Sequence, residues 1–332
     1  MAGGRDMLQP GISNFGKTSD GSAVHRIVLS NGELSVAVLT LGAIVQSVKL
    51  RGVPYDLTLG SEELGDYEGS MQFHGSLIGP VVNRITGAAP IIAGKQYRME
   101  ANQDGRISLH CGSAGTHRKI WQISEVTDKS LILTTVLRDG DGGLPGLRRL
   151  TAKFSILART TFRLEVTASS DAATLMNVAN HSYWNLDGSP DWSGHRLTVL
   201  ANHYLPTTED FTPTGEISPV ERGGMDFRTP REIRVGHPPF DTNFCLADRR
   251  RKLTEALTLQ GQSGLTMTVS TTEPGIQVYD GRNAQRPGKS TYEGLAIEAQ
   301  YWPDAPNHSG FPSIILEPGQ YWQQISEWSF HS

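Results

Sequence analysis

The chain has 332 residues, a formal net charge of −4 and a hydrophobic content of 37%, enough for a large core without the basic excess of nucleic-acid-binding proteins. It contains no run of about 18 or more apolar residues, so no membrane-spanning helix is predicted. The first ten residues lack the apolar segment of a signal peptide, and two cysteines, Cys111 and Cys245, are too few for a disulfide framework. We expect a cytoplasmic monomer or homodimer with no nucleic-acid or membrane partner.

Strand patterns dominate the first quarter of the chain. Asn31-Gly32 separates two apolar runs, 26–29 and 34–39, and this arrangement predicts a β-hairpin. Residues 42–48 predict another strand, and the polar residues 62–69 predict a connection with at most one helical turn. Residues 1–20 are expected to form a loosely ordered N-terminal segment.

Two polar positions in the next region have both structural and functional interpretations. Asn83-Arg84 ends an apolar run that starts at Leu77. An arginine there is usually a surface salt-bridge partner, but a fixed guanidinium can also donate to sugar hydroxyls or to a carboxylate. His110 is a solitary histidine two residues before Gly112, and a solitary histidine is more often structural than catalytic.

Residues 139–143, Asp-Gly-Asp-Gly-Gly, resemble the start of a calcium-binding loop. The segment lacks the spaced oxygen ligands and the terminal glutamate of an EF-hand, and no helical pattern flanks it. A hairpin or a wide loop is therefore favoured, and no metal site is predicted.

The stretch 176–186, Met-Asn-Val-Ala-Asn-His-Ser-Tyr-Trp-Asn-Leu, follows a strand predicted over 162–168 from its period-two alternation. It combines amides, aromatic rings and His181, a mixture that suits a polyhydroxylated ring and proton exchange near neutral pH. A polar connection whose side chains satisfy turn backbone groups is the alternative, equally favoured by composition alone.

The last third adds three polar positions within strand-like patterns. Asp241 lies between two aromatic residues, where an Asx-type turn is the structural alternative. The strand predicted over 275–280 places Gln277 and Tyr279 on one face. In 295–300, Glu298 interrupts an apolar strand, and burial there would raise its pKa towards the range of a general base.

Many short strands with regular turn signals predict an all-β protein, a large antiparallel β-sandwich formed as a single domain over 1–332. Only residues 249–259 offer a modest helical pattern. The motifs of dinucleotide, phosphate-loop, zinc and serine-hydrolase chemistry are missing from the sequence, and we expect no cofactor.

Six motifs occur in an order that resembles the aldose 1-epimerase (galactose mutarotase) family, over about residues 25–328. These motifs are Asn83-Arg84-Ile85, Leu109-His110-x-Gly112, Asn180-His181-x-Tyr183-Trp184-Asn185-Leu186, Asp241-x-Asn243-Phe244, Gly275-x-Gln277-x-Tyr279 and Glu298-x-Gln300.

The resemblance implies a galactose mutarotase-like supersandwich that interconverts the α and β anomers of free aldoses, hexose or pentose, without a cofactor or metal. Glu298 resembles the general base and His181 the general acid, acting on opposite sides of the sugar. The positions that resemble substrate-binding ones are Asn83, Arg84, His110, Asp241 and Gln277.

The chain departs from the family pattern in three places, and these affect the expected substrate preference. Gly79-Pro80-Val81-Val82 replaces the usual Gly-Arg-Tyr-Ala, Cys111 replaces a glycine, and Glu317 replaces an arginine. The alternatives are a sugar-phosphate 1-epimerase, which needs further cationic groups, and a non-catalytic carbohydrate-binding module, which needs no acid–base pair. A glycosidase is less favoured, because Asp241 is the only candidate for a second carboxylate.

Overall fold

The computed structural model describes residues 9–331, and strands account for most of the regular structure in this range. The strands are β1 (Gly11–Lys17), β2 (Ala23–Ser30), β3 (Leu34–Leu39), β4 (Ile44–Leu50), β5 (Leu77–Ile78), β6 (Arg84–Thr86), β7 (Ile91–Ile92), β8 (Lys95–Gln96), β9 (Ile107–Leu109), β10 (Gln122–Val126), β11 (Ser130–Leu137), β12 (Arg148–Ile156), β13 (Thr161–Ser170), β14 (Thr174–Leu175), β15 (Ala179–Asn180), β16 (Tyr183–Trp184), β17 (Arg196–Val199), β18 (His203–Leu205), β19 (Ser218–Pro219), β20 (Arg231–Glu232), β21 (Asp241–Cys245), β22 (Thr254–Gln260), β23 (Thr266–Thr271), β24 (Gly275–Tyr279), β25 (Leu295–Gln300), β26 (Ile315–Leu316) and β27 (Trp322–His331). The helices are α1 (Leu64–Glu68) and four 3₁₀ segments, Gly112–Ala114, Thr116–Arg118, Asp141–Gly143 and Ala305–Asn307.

The largest sheet has nine strands in the order β10-β11-β12-β13-β27-β23-β22-β17-β20. Its central pair, β13 and β27, runs antiparallel with Phe162 opposite Trp328. Buried residues alternate with more exposed ones along β12, β13 and β27. This sheet therefore has one face on the core and one towards solvent, as its period-two pattern requires.

A six-stranded sheet, ordered β16-β25-β24-β21-β18-β19, faces the large sheet across the core. Trp184 of β16 lies 6.1 Å, ring to ring, from Trp328 of β27, and one hydrophobic cluster joins these residues to Ile297 of β25 and Val278 of β24. All six residues of β25 are buried, so loops also cover the other face of this sheet. The predicted antiparallel β-sandwich is confirmed.

The first four strands form a separate antiparallel sheet in the order β1-β2-β3-β4. The hairpin predicted at Asn31-Gly32 is confirmed, since Ser30 pairs with Ser35 across it. The expected loosely ordered segment is wrong for Gly11–Lys17, because β1 pairs with β2 there. Residues 1–8 lie outside the described range.

Two further expectations have clear outcomes in the remaining chain. The single helical turn expected within 62–69 is α1. The helical pattern noted over 249–259 is wrong, because Thr254–Gln260 forms β22 between β17 and β23. Across residues 9–331, no helix has the length and apolar character that a membrane crossing requires.

Candidate active site

A cleft of about 250 Å³ opens at the six-stranded sheet. Its lining combines residues from β16, β21, β24 and β25 of this sheet with residues from the β6–β9 pair and from the surrounding loops. The lining residues are Ser70, Gln72, Phe73, His74, Asn83, Arg84, Leu109, His110, His181, Tyr183, Phe211, Asp241, Tyr279, Arg282, Asn283, Ala284 and Glu298. Of the seven residues singled out from the sequence, six line this cleft, and Gln277 lies directly behind it.

His181 and Glu298 meet inside the cleft. Nε2 of His181 lies 3.5 Å from Oε1 of Glu298, and both side chains are almost fully buried. Within residues 9–331, Nδ1 of His181 and Oε2 of Glu298 have no hydrogen-bond partner. The two groups lie side by side rather than on opposite sides of a sugar, because no ring fits into a 3.5 Å gap.

The backbone around His181 is fixed by two hydrogen bonds. The His181 N–H donates to the Ser76 carbonyl at 2.9 Å, and the Gly75 N–H donates to the His181 carbonyl at 3.0 Å. Gly75 has a φ of +70°, and a Cβ added to it would lie 2.2 Å from the Val45 carbonyl oxygen. Only glycine permits this approach, so Gly75 contributes to the placement of the imidazole.

Burial shifts the pKa values of Glu298 and His181 in opposite directions. Desolvation raises the pKa of Glu298 well above its usual range, and the nearby Asp241 carboxylate raises it further while Arg84 opposes this. Desolvation lowers the pKa of His181 to about 4. Each environment disfavours the charged form of the group that it surrounds.

Asp241 is fixed by two of the residues singled out from the sequence. Oδ1 of Asp241 accepts a hydrogen bond from Nε2 of Gln277 at 2.7 Å. Oδ2 accepts one from Nη1 of Arg84 at 3.3 Å. Arg84 also donates from Nε to Gln103. Gln277 therefore orients a cleft residue and does not line the cleft itself, and Asp241 belongs to β21 rather than to an Asx-type turn.

Asn83 and His110 form a second linked pair, at the ends of the chain segments that lead into β6 and out of β9. Both have left-handed backbone conformations, with φ of 67° and 54°. The Asn83 N–H donates to Nδ1 of His110 at 3.1 Å, which leaves the proton of the neutral imidazole on Nε2. Burial, followed by the neighbouring His181, keeps the pKa of His110 well below its usual value.

Phe73 is surrounded by three histidines. Its ring lies 4.7 Å from His110, 5.2 Å from His117 and 6.0 Å from His181, measured between ring centroids. A fourth histidine, His74, stacks on Tyr183 at 4.4 Å. Burial lowers the pKa of His74 and of His117 to about 3, so the cluster resists multiple protonation.

Sequence reasoning missed several residues of the cleft. His74, Phe211 and Arg282 come from loops, and no motif marked them. Tyr183 was inside the central stretch and Tyr279 inside a strand, but neither was given a role. Tyr183 lies 5.1 Å from the His181 ring, and its pKa is raised well above 10 by burial and by neighbouring acidic groups.

The three departures from the family pattern fall outside the cleft lining. Cys111 is buried, and its Sγ contacts the backbone of Val81 at 3.3 Å. Glu317 is exposed. Cys111 and Cys245 are free thiols. Among residues 9–331, no group of three or more His, Cys, Asp or Glu side chains is arranged to hold a metal ion, and residues 139–143 form a loop with a short 3₁₀ turn.

Comparison with known proteins agrees with this architecture. Residues 25–328 match the family model of aldose 1-epimerase. The galactose mutarotase of Rattus norvegicus is 32% identical over 329 residues, which cover 94% of this chain and 95% of the relative. The aldose 1-epimerase of Escherichia coli strain K12 is 28% identical over 341 residues, with 94% and 96% covered.

Solved structures show the same fold. An aldose epimerase homologue from C. elegans superposes with a TM-score of 0.86 at 25% identity, over 93% of this chain and 99% of that one. A galactose 1-epimerase from Lactobacillus acidophilus superposes with a TM-score of 0.84 over 98% and 99%, and at 22% identity it supports the fold alone.

The chain belongs to the aldose 1-epimerase family. Membership of this family makes it an isomerase of the racemase and epimerase class, and it supports sugar mutarotation as the general activity.

Proposed function

We propose that this protein interconverts the α and β anomers of free aldoses by acid–base ring opening and reclosure, without a cofactor. The observation that carries the proposal is the His181–Glu298 pair, 3.5 Å apart and buried in a polar cleft. A hemiacetal opens when its anomeric hydroxyl loses a proton and its ring oxygen gains one. Both oxygens are bonded to the same carbon, so two neighbouring groups can serve them together.

In this mechanism Glu298 removes the proton of the anomeric hydroxyl and His181 protonates the ring oxygen. In this proposal the free pair holds one proton, on Glu298, because burial favours the neutral form of both groups. Transfer of this proton to Nε2 of His181 produces the carboxylate and the imidazolium without proton uptake from solvent. After rotation about the bond from the aldehyde carbon to its neighbour, the same two groups act in reverse and close the other anomer.

The surrounding residues support the charge that develops on the sugar oxygens. Neutral His110 presents a donor at Nε2, since its Nδ1 accepts from Asn83. Arg84 supplies a fixed positive charge whose orientation Asp241 and Gln103 maintain. Such preorganised donors stabilise a transition state because they need no reorientation during the reaction.

The charge balance of the cleft disfavours the other functions. Arg84 and Arg282 are each paired with a carboxylate, Asp241 and Asp280, so neither is free for a sugar phosphate. Asp241 accepts hydrogen bonds from both Arg84 and Gln277, which makes it a poor second carboxylate for a glycosidase. A binding module has no need for a buried, oppositely perturbed acid–base pair. A single domain, a cytoplasmic location and a monomeric or homodimeric state remain predictions from the sequence.

Magnetisation-exchange NMR on a panel of free aldoses and aldose 6-phosphates tests the proposal directly. We expect the protein to accelerate anomer exchange of free hexoses and pentoses, with full activity in EDTA and without nucleotide. Sugar binding without exchange would identify a binding module. Loss of exchange in EDTA, restored by a divalent ion, would contradict cofactor independence, and preference for the phosphates would favour the alternative epimerase.

A further inference from the structure

Phe211 introduces an apolar surface into a cleft lined mainly by polar side chains. It belongs to the loop between β18 and β19, lines the cleft and is half-buried. Two guanidinium groups lie against its ring, those of Arg84 and Arg282, each with Cζ 5.4 Å from the ring centroid. The phenyl group therefore links the two cationic residues of the cleft by cation–π contacts.

Arg282 is itself firmly placed. It donates to both carboxylate oxygens of Asp280, from Nε at 2.9 Å and from Nη2 at 2.8 Å, and to the Phe240 carbonyl at 2.9 Å. Asp280 is 1% exposed. A planar guanidinium held by three hydrogen bonds at Nε and Nη2 has little freedom, so Arg282 presents a fixed surface to the Phe211 ring.

The loop holds Phe211 in a conformation that bulky residues rarely adopt, with φ of 60°. Its N–H donates to the Thr208 carbonyl at 3.1 Å, and the Thr208 N–H donates to the Thr212 carbonyl at 2.8 Å. Gln103 connects this loop to the catalytic side, because it accepts from Arg84 and donates to the Asp210 carbonyl. Strained conformations of this kind concentrate at ligand-binding positions.

A sugar ring has two kinds of surface, hydroxyl edges and patches of C–H groups. The cleft offers amides, imidazoles, carboxylates and guanidinium groups for the hydroxyls, whereas a phenyl ring has no hydrogen bond to offer them. An aromatic face suits the C–H patch, since contact there removes apolar surface from water.

We propose that Phe211 is a specificity-determining residue that packs against the C–H face of the aldose, and that Arg282 is a positioning residue that holds the Phe211 ring. The inference rests on the proposed mutarotation. Phe211 acts before the chemical step, so its contribution is expected in KM and not in kcat. Arg282 acts through Phe211, so the effects of changing both are expected not to add.

The test measures anomer-exchange kinetics for Phe211→Ala, Phe211→Leu, Arg282→Ala, Arg282→Lys and the double variant Phe211→Ala/Arg282→Ala, with thermal unfolding of each. We expect Phe211→Ala to raise KM about tenfold, the effect of about 1.4 kcal/mol of lost binding, with kcat within about twofold. Phe211→Leu should lose less, because it keeps apolar bulk. Arg282→Ala should raise KM in the same direction, Arg282→Lys should restore part of the loss, and the double variant should resemble Phe211→Ala.

Arg231→Ala is the matched control, because Arg231 lies over the ring of Phe227, 4.6 Å from its centroid, and neither residue lines the cleft. This variant should keep wild-type KM and kcat. An unchanged KM in folded Phe211→Ala, with a wild-type protein that exchanges anomers, would overturn the inference and leave the proposed function intact. Additive losses would show that Arg282 contacts the sugar itself, and a wild-type protein without exchange would refute the proposed function.

Discussion

Strands β13 and β25 lie in the two facing sheets and differ in how their polar residues are treated. Along β13, buried Phe162, Leu164 and Val166 alternate with more exposed residues. Along β25, all six residues are buried, Glu298 and Gln300 among them. Most polar side chains of β13 are in contact with water, whereas those of β25 are buried.

This difference separates a strand that supports the fold from one that supports the site. A buried carboxylate is costly in free energy and becomes protonated unless a partner compensates its charge. Glu298 has such a raised pKa, and the groups around it are His181, Asp241 and Arg84. An apolar residue at position 298 would stabilise the strand more. A carboxylate at this position despite its cost in free energy is consistent with a chemical role. The following changes test the contrast between the two sheets, from the largest expected effect to the smallest.

Phe162→Ala should lower the stability of the protein but leave its anomer-exchange activity unchanged. Phe162 is fully buried and stacks on Trp328 at 4.6 Å, so its truncation leaves a cavity and should cost about 3–5 kcal/mol of unfolding free energy. Urea unfolding measures this loss, and exchange kinetics well below the unfolding temperature should match the wild type. Val136→Ala, at a 44% exposed position of β11, is the control. Loss of anomer exchange in folded Phe162→Ala would contradict the assignment of stability to one sheet and of activity to the other.

Arg84→Ala should have the opposite effect, with reduced activity and a preserved fold. Removal of its hydrogen bond to Asp241 leaves a nearly buried carboxylate without its cation, and kcat/KM should fall by the equivalent of about 1–3 kcal/mol. Arg163 of β13, which pairs with Glu327 across the solvent-facing side, provides the matched control. Arg163→Ala should leave kcat/KM unchanged, because this partly exposed ion pair lies in the large sheet and neither residue lines the cleft. An equal loss of kcat/KM in both variants would show that Arg84 acts only through its charge and not through its position in the cleft.

The buried histidines around Phe73 should make the stability of the protein decrease at acid pH. The pKa of His117 is lowered to about 3 in the folded protein, against about 6.5 when unfolded. The stability this provides is complete above the unfolded value and declines as the pH falls towards the folded value, because the unfolded chain then binds the extra proton.

His117→Asn should remove this contribution. Between about pH 7.5 and about pH 5, the variant should lose about 2 kcal/mol less unfolding free energy than the wild type. Urea unfolding at the two pH values measures the difference. His203→Asn, at an exposed position outside this cluster, is the matched control for replacing a histidine by asparagine. An unchanged pH dependence in His117→Asn would show that this histidine is solvated when folded.

Local sequence signals predicted much of the fold. Asn31-Gly32 specifies its hairpin through residues adjacent in sequence, and period-two alternation identifies strands such as β13. The helical pattern over 249–259 was misleading, because Thr254–Gln260 pairs with β17 and β23, which are distant in sequence. Tertiary pairing overrode a weak local preference there.

The residues of the candidate site could be singled out from the sequence, but their arrangement could not. Glu298 stood out because a carboxylate in an apolar strand is unusual, and His181 because of its motif. Their 3.5 Å separation depends on how β25 and the segment before β16 approach each other, which no local pattern encodes. Phe211 and Arg282 lie in loops, and their contact joins segments that are distant in sequence, so no sequence signal identified them.

The central claim is that Glu298 and His181 act as one acid–base unit, and anomer exchange measured on Glu298→Gln, His181→Asn and the double variant tests it most directly. Each single change keeps a polar side chain but removes a proton carrier, so each should lower the exchange rate about a hundredfold or more. The double variant should fall little further, because losses within one coupled step are not additive. All three should still bind sugar through the contacts of Asn83, Arg84 and Asp241. Exchange near the wild-type rate in folded Glu298→Gln would contradict the account.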